Sequence, residues 1–188
     1  MRLRKPLVLA SESPRRMQIL TEMGFEFEVK SASIEETYPP NMAPENIPVH
    51  LAQLKSKKVH SMTGDAIVIG ADTIVVKQGK IFGKPNSEEV AAEMLRSLSD
   101  SEHEVITGVS ILDNEKQIDF SVHTRIYFKK LSKEAIKYYV ELYKPMDKAG
   151  AYAIQEWLGL TFIEKIEGDY YNVVGLPASR VYEELLKF

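Results

Sequence analysis

The sequence has 188 residues, 44% of them hydrophobic and 27% charged, with a formal net charge of −3 and no cysteine. These values are typical of one globular domain that buries an ordinary core. They exclude disulfides and cysteine-bound metals, and the slightly acidic balance gives no electrostatic case for a nucleic-acid duplex as a partner.

The N-terminal part of the chain predicts alternating strands and helices. In chain order these are a strand at residues 7–10, a helix at 14–23, a strand at 25–30, a proline-containing loop at 33–46 and a helix at 48–60. The basic start, residues 1–6, is followed by only four apolar residues before Ser11. That run is too short for a signal peptide or a membrane span, so we expect no membrane association.

The remainder of the chain continues the alternation. The predicted elements are a strand at 66–76, a turn at 77–80 leading into 81–82, a helix at 87–98, and strands at 103–112 and 117–128. They are followed by a helix at 133–142, a strand at 160–166 and a helix at 176–186. Ser87 and Ser132 are predicted to cap their helices. The pattern predicts a mixed α/β sheet with flanking helices and a cleft, built as a single domain over residues 1–188.

The segment Ser11-Glu12-Ser13-Pro14-Arg15-Arg16 stands where the first strand gives way to the first helix. Small hydroxyl residues, a proline suited to the first helical turn and two guanidiniums predict a cradle for an oligophosphate. The alternative is an ordinary helix cap at Ser13 with two solvated arginines.

A carboxylate interrupts the next apolar strand, in Gly70-Ala71-Asp72-Thr73. We interpret Gly70 as loosening the strand at this point. A lone aspartate in a buried strand is costly unless it has a function, so Asp72 is a candidate for chemistry.

Together with three further segments, at residues 82–85, 147–155 and 168–177, these motifs resemble the Maf family of nucleoside triphosphate pyrophosphatases, once called septum-formation proteins. The resemblance covers nearly the whole chain, and five collinear motifs are far more specific than any one of them. It implies a fold related to the inosine triphosphatase type, with two lobes around a cleft. It also implies a divalent cation, Mg2+ or Mn2+, as cofactor.

The resemblance implies roles for particular residues. The expected triphosphate-binding residues are Ser11, Ser13, Arg15, Arg16, Lys55 and Lys84. The expected catalytic residues are Asp72, Lys84 and Glu36, with Asp72 and Glu36 as metal ligands. Whether Asp72 is the base or chiefly a ligand stays open. Solvated side chains are the alternative for Lys55, Lys84 and Glu36.

The segment from Lys148 to Gln155 resembles the branch of the family that prefers dTTP and UTP. Thr73 and Gln155 are then the expected specificity residues, since an amide can read a pyrimidine edge. Two departures from the family pattern are Ala153, where glycine is usual, and Glu156-Trp157 after the glutamine. A tryptophan over the base would shift the preference.

The leading hypothesis is a metal-dependent hydrolase that attacks the α-phosphorus of dTTP or UTP and releases the monophosphate and pyrophosphate. One alternative is the same chemistry on a noncanonical or modified purine triphosphate. Another is a nucleotide-binding regulator of septum formation without turnover. The absence of cysteine favours a cytoplasmic protein, and the family resemblance implies a homodimer.

Overall fold

Strands and helices alternate through the computed structural model, which describes residues 3–188. Met1 and Arg2, at the basic start of the chain, lie outside the described residues. The strands are β1 (Leu7–Leu9), β2 (Glu28–Val29), β3 (Ile67–Lys77), β4 (Lys80–Phe82), β5 (Glu102–Leu112), β6 (Gln117–Phe128) and β7 (Ile163–Glu167). The helices are α1 (Pro14–Glu22), α2 (Ile47–His60), α3 (Glu88–Leu98), α4 (Lys133–Tyr143), α5 (Trp157–Phe162), α6 (Tyr170–Val174) and α7 (Ala178–Leu185).

The strands of the described residues form a seven-stranded sheet in the order β2-β1-β3-β5-β6-β7, with β4 paired to β3 outside this path. β1 runs parallel to β2 and β3, whereas β4 is antiparallel to β3 and β7 is antiparallel to β6. The predicted mixed α/β sheet is therefore confirmed. Among the helices of residues 3–188, none combines the length and apolar character that crossing a membrane requires.

The fold divides into two compact units. Unit 1 contains the chain up to Thr73 together with Thr107–Val122 and Gly175–Phe188. Its helix α2 lies backbone to backbone against two strands. A Cβ at Gly70 would meet the carbonyl oxygen of Ala52 at 2.2 Å, and one at Gly108 would meet the backbone nitrogen of Val49 at the same distance. Only glycine permits these two approaches.

Unit 2 contains Ile74–Ile106 and His123–Val174. Its helices begin as predicted: Ser87 Oγ accepts a hydrogen bond from the Val90 N–H at 3.2 Å, and Ser132 Oγ accepts one from the Ala135 N–H at 3.1 Å. Helices α3 and α4 bury their apolar faces in one core, in which Tyr139 is completely buried.

The predicted strand at residues 160–166 is wrong in its first half. Residues up to Phe162 belong to helix α5, and strand β7 begins only at Ile163. The backbone of Gly159 lies so close to Ile154 that a Cβ would fall 2.0 Å from the Ile154 carbonyl oxygen. This tertiary contact fixes the helical turn. Helix α6, at Tyr170–Val174, was not predicted.

Candidate functional site

The turn between β1 and α1 has the predicted strand, turn and helix order. Ser13 is the N-cap in an extended conformation, and Pro14 occupies the first helical turn. The Ser13 side chain makes no capping hydrogen bond. Instead the Ser13 N–H donates to Ser11 Oγ at 3.3 Å, which turns the chain in front of the helix. The structure therefore does not show the ordinary side-chain cap at Ser13.

The two arginines of this motif have different environments. Arg15 is half-buried, whereas Arg16 is 9% exposed. The Arg16 guanidinium donates three hydrogen bonds: Nε to the Gly175 carbonyl at 2.8 Å, one terminal nitrogen to Ser11 Oγ at 3.1 Å, and the other to Thr73 Oγ1 at 3.0 Å. Burial lowers the pKa of Arg16, and the charge of Asp72 counters this effect. Arg16 thus ties together three segments that are far apart in the sequence.

Lys55 joins two carboxylates. Its Nζ lies 2.7 Å from Asp72 Oδ1 and 2.7 Å from Glu36 Oε1. The side chains of Lys55 and Asp72 are only 11% and 12% exposed, whereas that of Glu36 is 46% exposed. α2, β3 and the loop before α2 each supply one of the three groups. The solvated-lysine alternative for Lys55 is therefore wrong.

Gly70 explains how Lys55 reaches Asp72. Strand β3 is continuous through Gly70 and Asp72, so the expected break in the strand is not present. The glycine serves instead to let β3 approach α2, since any side chain there would strike Ala52 and Ser56. This close approach brings the Lys55 ammonium to the carboxylate two residues farther along β3.

The two carboxylates also suit a divalent cation. Hard cations such as Mg2+ prefer oxygen ligands, and Mg2+ is commonly held by one or two carboxylates together with substrate phosphates and water. Asp72 and Glu36 provide that number of carboxylates, and both also contact the Lys55 ammonium. Within residues 3–188 no cluster of three or more acidic, histidine or cysteine side chains forms a complete metal cage. Two carboxylates fit a cation that takes its other ligands from phosphate oxygens and water.

The remaining predicted residues lie in unit 2. Lys84 is exposed and follows β4. The carbonyl of its neighbour Gly83 accepts a hydrogen bond from the Gly150 N–H at 3.1 Å, which joins two of the motifs. Gly150 has φ +68° and packs against Val75, so only a glycine fits this position easily.

Gln155 is exposed in a tight turn. The Glu156 N–H donates to the Ala153 carbonyl at 3.2 Å, which closes the turn around Ile154 and Gln155. Trp157 opens α5, and its ring packs edge-on against Tyr138 and Phe162, with centroids 4.8 and 5.6 Å apart. These contacts give Trp157 a packing role.

A network around Tyr139 was missed by sequence reasoning. Its hydroxyl donates to Glu156 and accepts from the Ala153 N–H at 3.1 Å. Lys148 Nζ lies 3.4 Å from the other oxygen of Glu156 and 2.8 Å from Asp147. The only sequence signal is the departure at Glu156, because Tyr139 resembles any apolar-face residue of a helix.

A cleft of about 330 Å3 also lies in unit 2 and is lined by Lys77, His103 and Arg125, among others. Burial lowers the pKa of His103 to about 3, so the ring is neutral at pH 7. The lining also includes Glu102 and Glu104, which balance the two cations. This cleft is not built from the predicted site residues.

The site brings together arginines, a lysine and two carboxylates on a mixed α/β fold. Such a set of groups is typical of a protein that binds anionic, phosphate-bearing ligands. The comparisons agree. A sequence model described as Maf, Maf-like protein, matches residues 6–188, so the chain belongs to the Maf family.

Curated relatives cover nearly the whole chain. A protein of Cytophaga hutchinsonii named dTTP/UTP pyrophosphatase is 49% identical over 181 residues, which are 96% of this chain and 83% of that protein. A protein of Phocaeicola vulgatus with the same name is 46% identical over 96% of this chain and 95% of its own length. Among solved structures, the Staphylococcus aureus Ham1 protein is similar, with 18% identity and a TM-score of 0.46 over 66% of this chain and 72% of that chain.

Proposed function

We propose that this protein is a metal-dependent pyrophosphatase that hydrolyses dTTP and UTP to the monophosphate and pyrophosphate. The observation that carries the proposal is the placement of Asp72 and Glu36 on one ammonium group, 2.7 Å from each, next to the turn that Arg16 organises. The names of the curated relatives support the choice of substrates.

Binding of the triphosphate requires several cations, because the substrate carries about four negative charges at neutral pH. Arg15 and the hydroxyls of Ser11 and Ser13 contact phosphate oxygens at the start of α1. Lys84 adds a mobile positive charge. Arg16 fixes the shape of the turn, because its nitrogens donate hydrogen bonds to Gly175, Ser11 and Thr73. It acts on the phosphates through its positive charge rather than through direct hydrogen bonds.

Asp72 acts as the proton acceptor. It takes a proton from a water molecule as the water oxygen attacks the α-phosphorus, and the bond from that phosphorus to the bridging oxygen breaks. The bond electrons leave with pyrophosphate. Lys55 donates a hydrogen bond to Asp72 Oδ1 over 2.7 Å, which orients the carboxylate. Asp72 and Glu36 would hold Mg2+ or Mn2+, which supplies neutralising charge to the phosphate oxygens.

Base selection falls to Gln155 and Thr73. One amide group offers a donor and an acceptor, which match the O4 and N3–H edge shared by thymine and uracil. Cytosine reverses both groups, so it pairs only with an amide rotated by about 180°, and the proposal requires bound Gln155 to keep the orientation that matches thymine and uracil.

A screen of the common and modified nucleoside triphosphates with Mg2+ or Mn2+ tests the proposal, with pyrophosphate and phosphate release measured separately. We expect pyrophosphate from dTTP and UTP, with rates within about tenfold of each other because their bases differ by one methyl group and the proposed base-reading residue does not contact the sugar 2′-hydroxyl that also distinguishes them. A modified purine triphosphate as the best substrate would move the assignment to that class. Tight nucleotide binding without turnover would indicate a regulator of septum formation.

We also propose that the protein acts in the cytoplasm as a homodimer that does not bind nucleic-acid duplexes. The formal net charge of −3 supports the last point. Light scattering after size exclusion tests the dimer, and a mass equal to one chain would contradict it. Retention of a DNA duplex by the protein at physiological salt would contradict the exclusion of nucleic acid.

A further inference from the structure

The turn that carries Gln155 is braced from both sides by one buried hydroxyl. Tyr139 accepts a hydrogen bond from the Ala153 N–H, two residues before Gln155, and donates one to the side chain of Glu156, the residue after it. The Tyr139 side chain is completely buried and stacks on Tyr143 with a centroid distance of 4.8 Å. The hydroxyl is therefore held by a rigid helix rather than by a loop.

The charges around this hydroxyl keep it a donor. Burial is the largest cause that raises the pKa of Tyr139, and the hydrogen bond to Glu156 is the second. The phenol therefore stays protonated at neutral pH. Glu156 keeps its own charge compensated through Lys148, whose side chain is 9% exposed and lies 3.4 Å away. A charge-assisted hydrogen bond of this kind is stronger than one between neutral groups.

A third contact fixes the residue directly before Gln155. The backbone of Gly159 in α5 abuts Ile154, and a Cβ there would overlap its carbonyl group. The backbone on both sides of Gln155 is thus anchored, while its own side chain is exposed. An exposed amide on a braced turn is suited to recognition, because little conformational freedom is lost on binding.

We propose that Tyr139 and Glu156 are positioning residues that hold Gln155 in the orientation in which it reads the pyrimidine base. This inference rests on the proposed function, since it assigns the selectivity of that reaction to groups that do not touch the substrate. It also gives a purpose to Glu156, which departs from the family pattern.

The variants Tyr139→Phe and Glu156→Ala test this role, with Tyr143→Phe as the matched control that removes a neighbouring phenol hydroxyl. We expect Tyr139→Phe to raise KM for dTTP and to lower the dTTP-to-CTP ratio of kcat/KM by about tenfold, with kcat changed by less than about threefold. Glu156→Gln retains an acceptor for Tyr139, so it should preserve more of the ratio than Glu156→Ala.

Two further measurements separate positioning from general damage. In a Gln155→Ala background, Tyr139→Phe should leave the dTTP-to-CTP ratio unchanged, because residues that act through one another are not additive. Amide hydrogen exchange at Ala153 and Glu156 should become about tenfold faster in Tyr139→Phe and stay unchanged in Tyr143→Phe.

The outcomes are distinct. Unchanged exchange at Ala153 and Glu156 would show that the hydroxyl does not brace the turn, and unchanged selectivity with faster exchange would show that the brace does not serve base reading. Either result overturns the proposal. If the wild-type protein cleaves neither dTTP nor UTP, the proposed function is wrong and the positioning role falls with it, while the exchange data still report whether the brace exists.

Discussion

Replacing Asp72 with asparagine removes one charge from the carboxylate pair and leaves the volume of the side chain unchanged. The asparagine oxygen still accepts the hydrogen bond that Lys55 donates to Asp72 over 2.7 Å. Lys55 also keeps its ion pair with Glu36 at 2.7 Å, so its charge stays compensated. We therefore expect a stability loss of only about 1 kcal/mol, well below the 3–5 kcal/mol typical when a buried charge loses its only partner.

The effect on turnover should be much larger. An amide cannot accept the proton of the attacking water, and it is a poorer ligand for a divalent cation. We expect kcat for dTTP to fall at least about a hundredfold, which corresponds to about 2.7 kcal/mol of activation free energy. Nucleotide binding should persist, because the cations near the phosphates are unchanged.

Three measurements on the same protein preparation check this expectation: pyrophosphate release from dTTP, nucleotide binding by calorimetry and urea unfolding. Asp119→Asn is the matched control, since Asp119 is an exposed carboxylate that accepts hydrogen bonds from Gln53 and Gln117. A variant of Asp72 that retains kcat within about threefold of wild type would remove this residue from the chemistry. Loss of folding together with activity would contradict the charge compensation by Glu36.

Four further substitutions test other parts of the structure. Arg16→Lys should cost about 2–3 kcal/mol in urea unfolding, because one ammonium cannot replace a guanidinium that donates in three directions; a loss below about 0.5 kcal/mol would contradict its tying role. Gly70→Ala should lower the free energy of unfolding by more than about 2 kcal/mol, since the new Cβ meets a backbone oxygen at 2.2 Å, and an unchanged urea midpoint would refute this. Burial alone would raise the pKa of Asp113, but hydrogen bonds from Lys5 and two backbone N–H groups outweigh it and lower the pKa to about 2. The ionised Asp113 therefore contributes at most roughly 2 kcal/mol to the free energy of unfolding above pH 4, and this contribution is lost as the pH falls toward 2. The stability difference between wild type and Asp113→Asn should shrink over that pH range. Gln155→Ala should bring the kcat/KM of CTP closer to that of dTTP, and an unchanged ratio would exclude Gln155 from base reading.

Most elements could be predicted because local signals and tertiary structure agree. The hydroxyl caps at Ser87 and Ser132 accept hydrogen bonds from the residues three positions on, as their spacing predicts. The prediction of a strand at 160–166 was wrong in its first half for the opposite reason. Its apolar residues fit a strand, but the packing of Gly159 on Ile154 places the first part in a helix, and that contact is not encoded in local periodicity.

The candidate site was only partly predictable. Lys55 was a weak candidate from the residues alone, beside two other lysines, because helical position does not reveal which lysine faces a carboxylate. Gly70 was correctly connected with Asp72, but its interpretation as a break in the strand was wrong. Its requirement comes from α2, which lies elsewhere in the sequence. Tyr139 carried no polar signal, since its hydroxyl acts on a turn that begins 14 residues later.

Arg15 and Arg16 show that a sequence motif does not by itself reveal the role of each residue. Neighbouring positions on a helix point about 100° apart, so the two arginines differ in environment: Arg16 is buried and Arg15 is half-buried. The inward guanidinium organises Ser11, Thr73 and Gly175 with three hydrogen bonds. A substrate phosphate would then meet Arg15 directly and Arg16 mainly through its positive charge. Arg15→Ala should therefore raise KM for dTTP, and an unchanged KM would contradict direct contact with the phosphates.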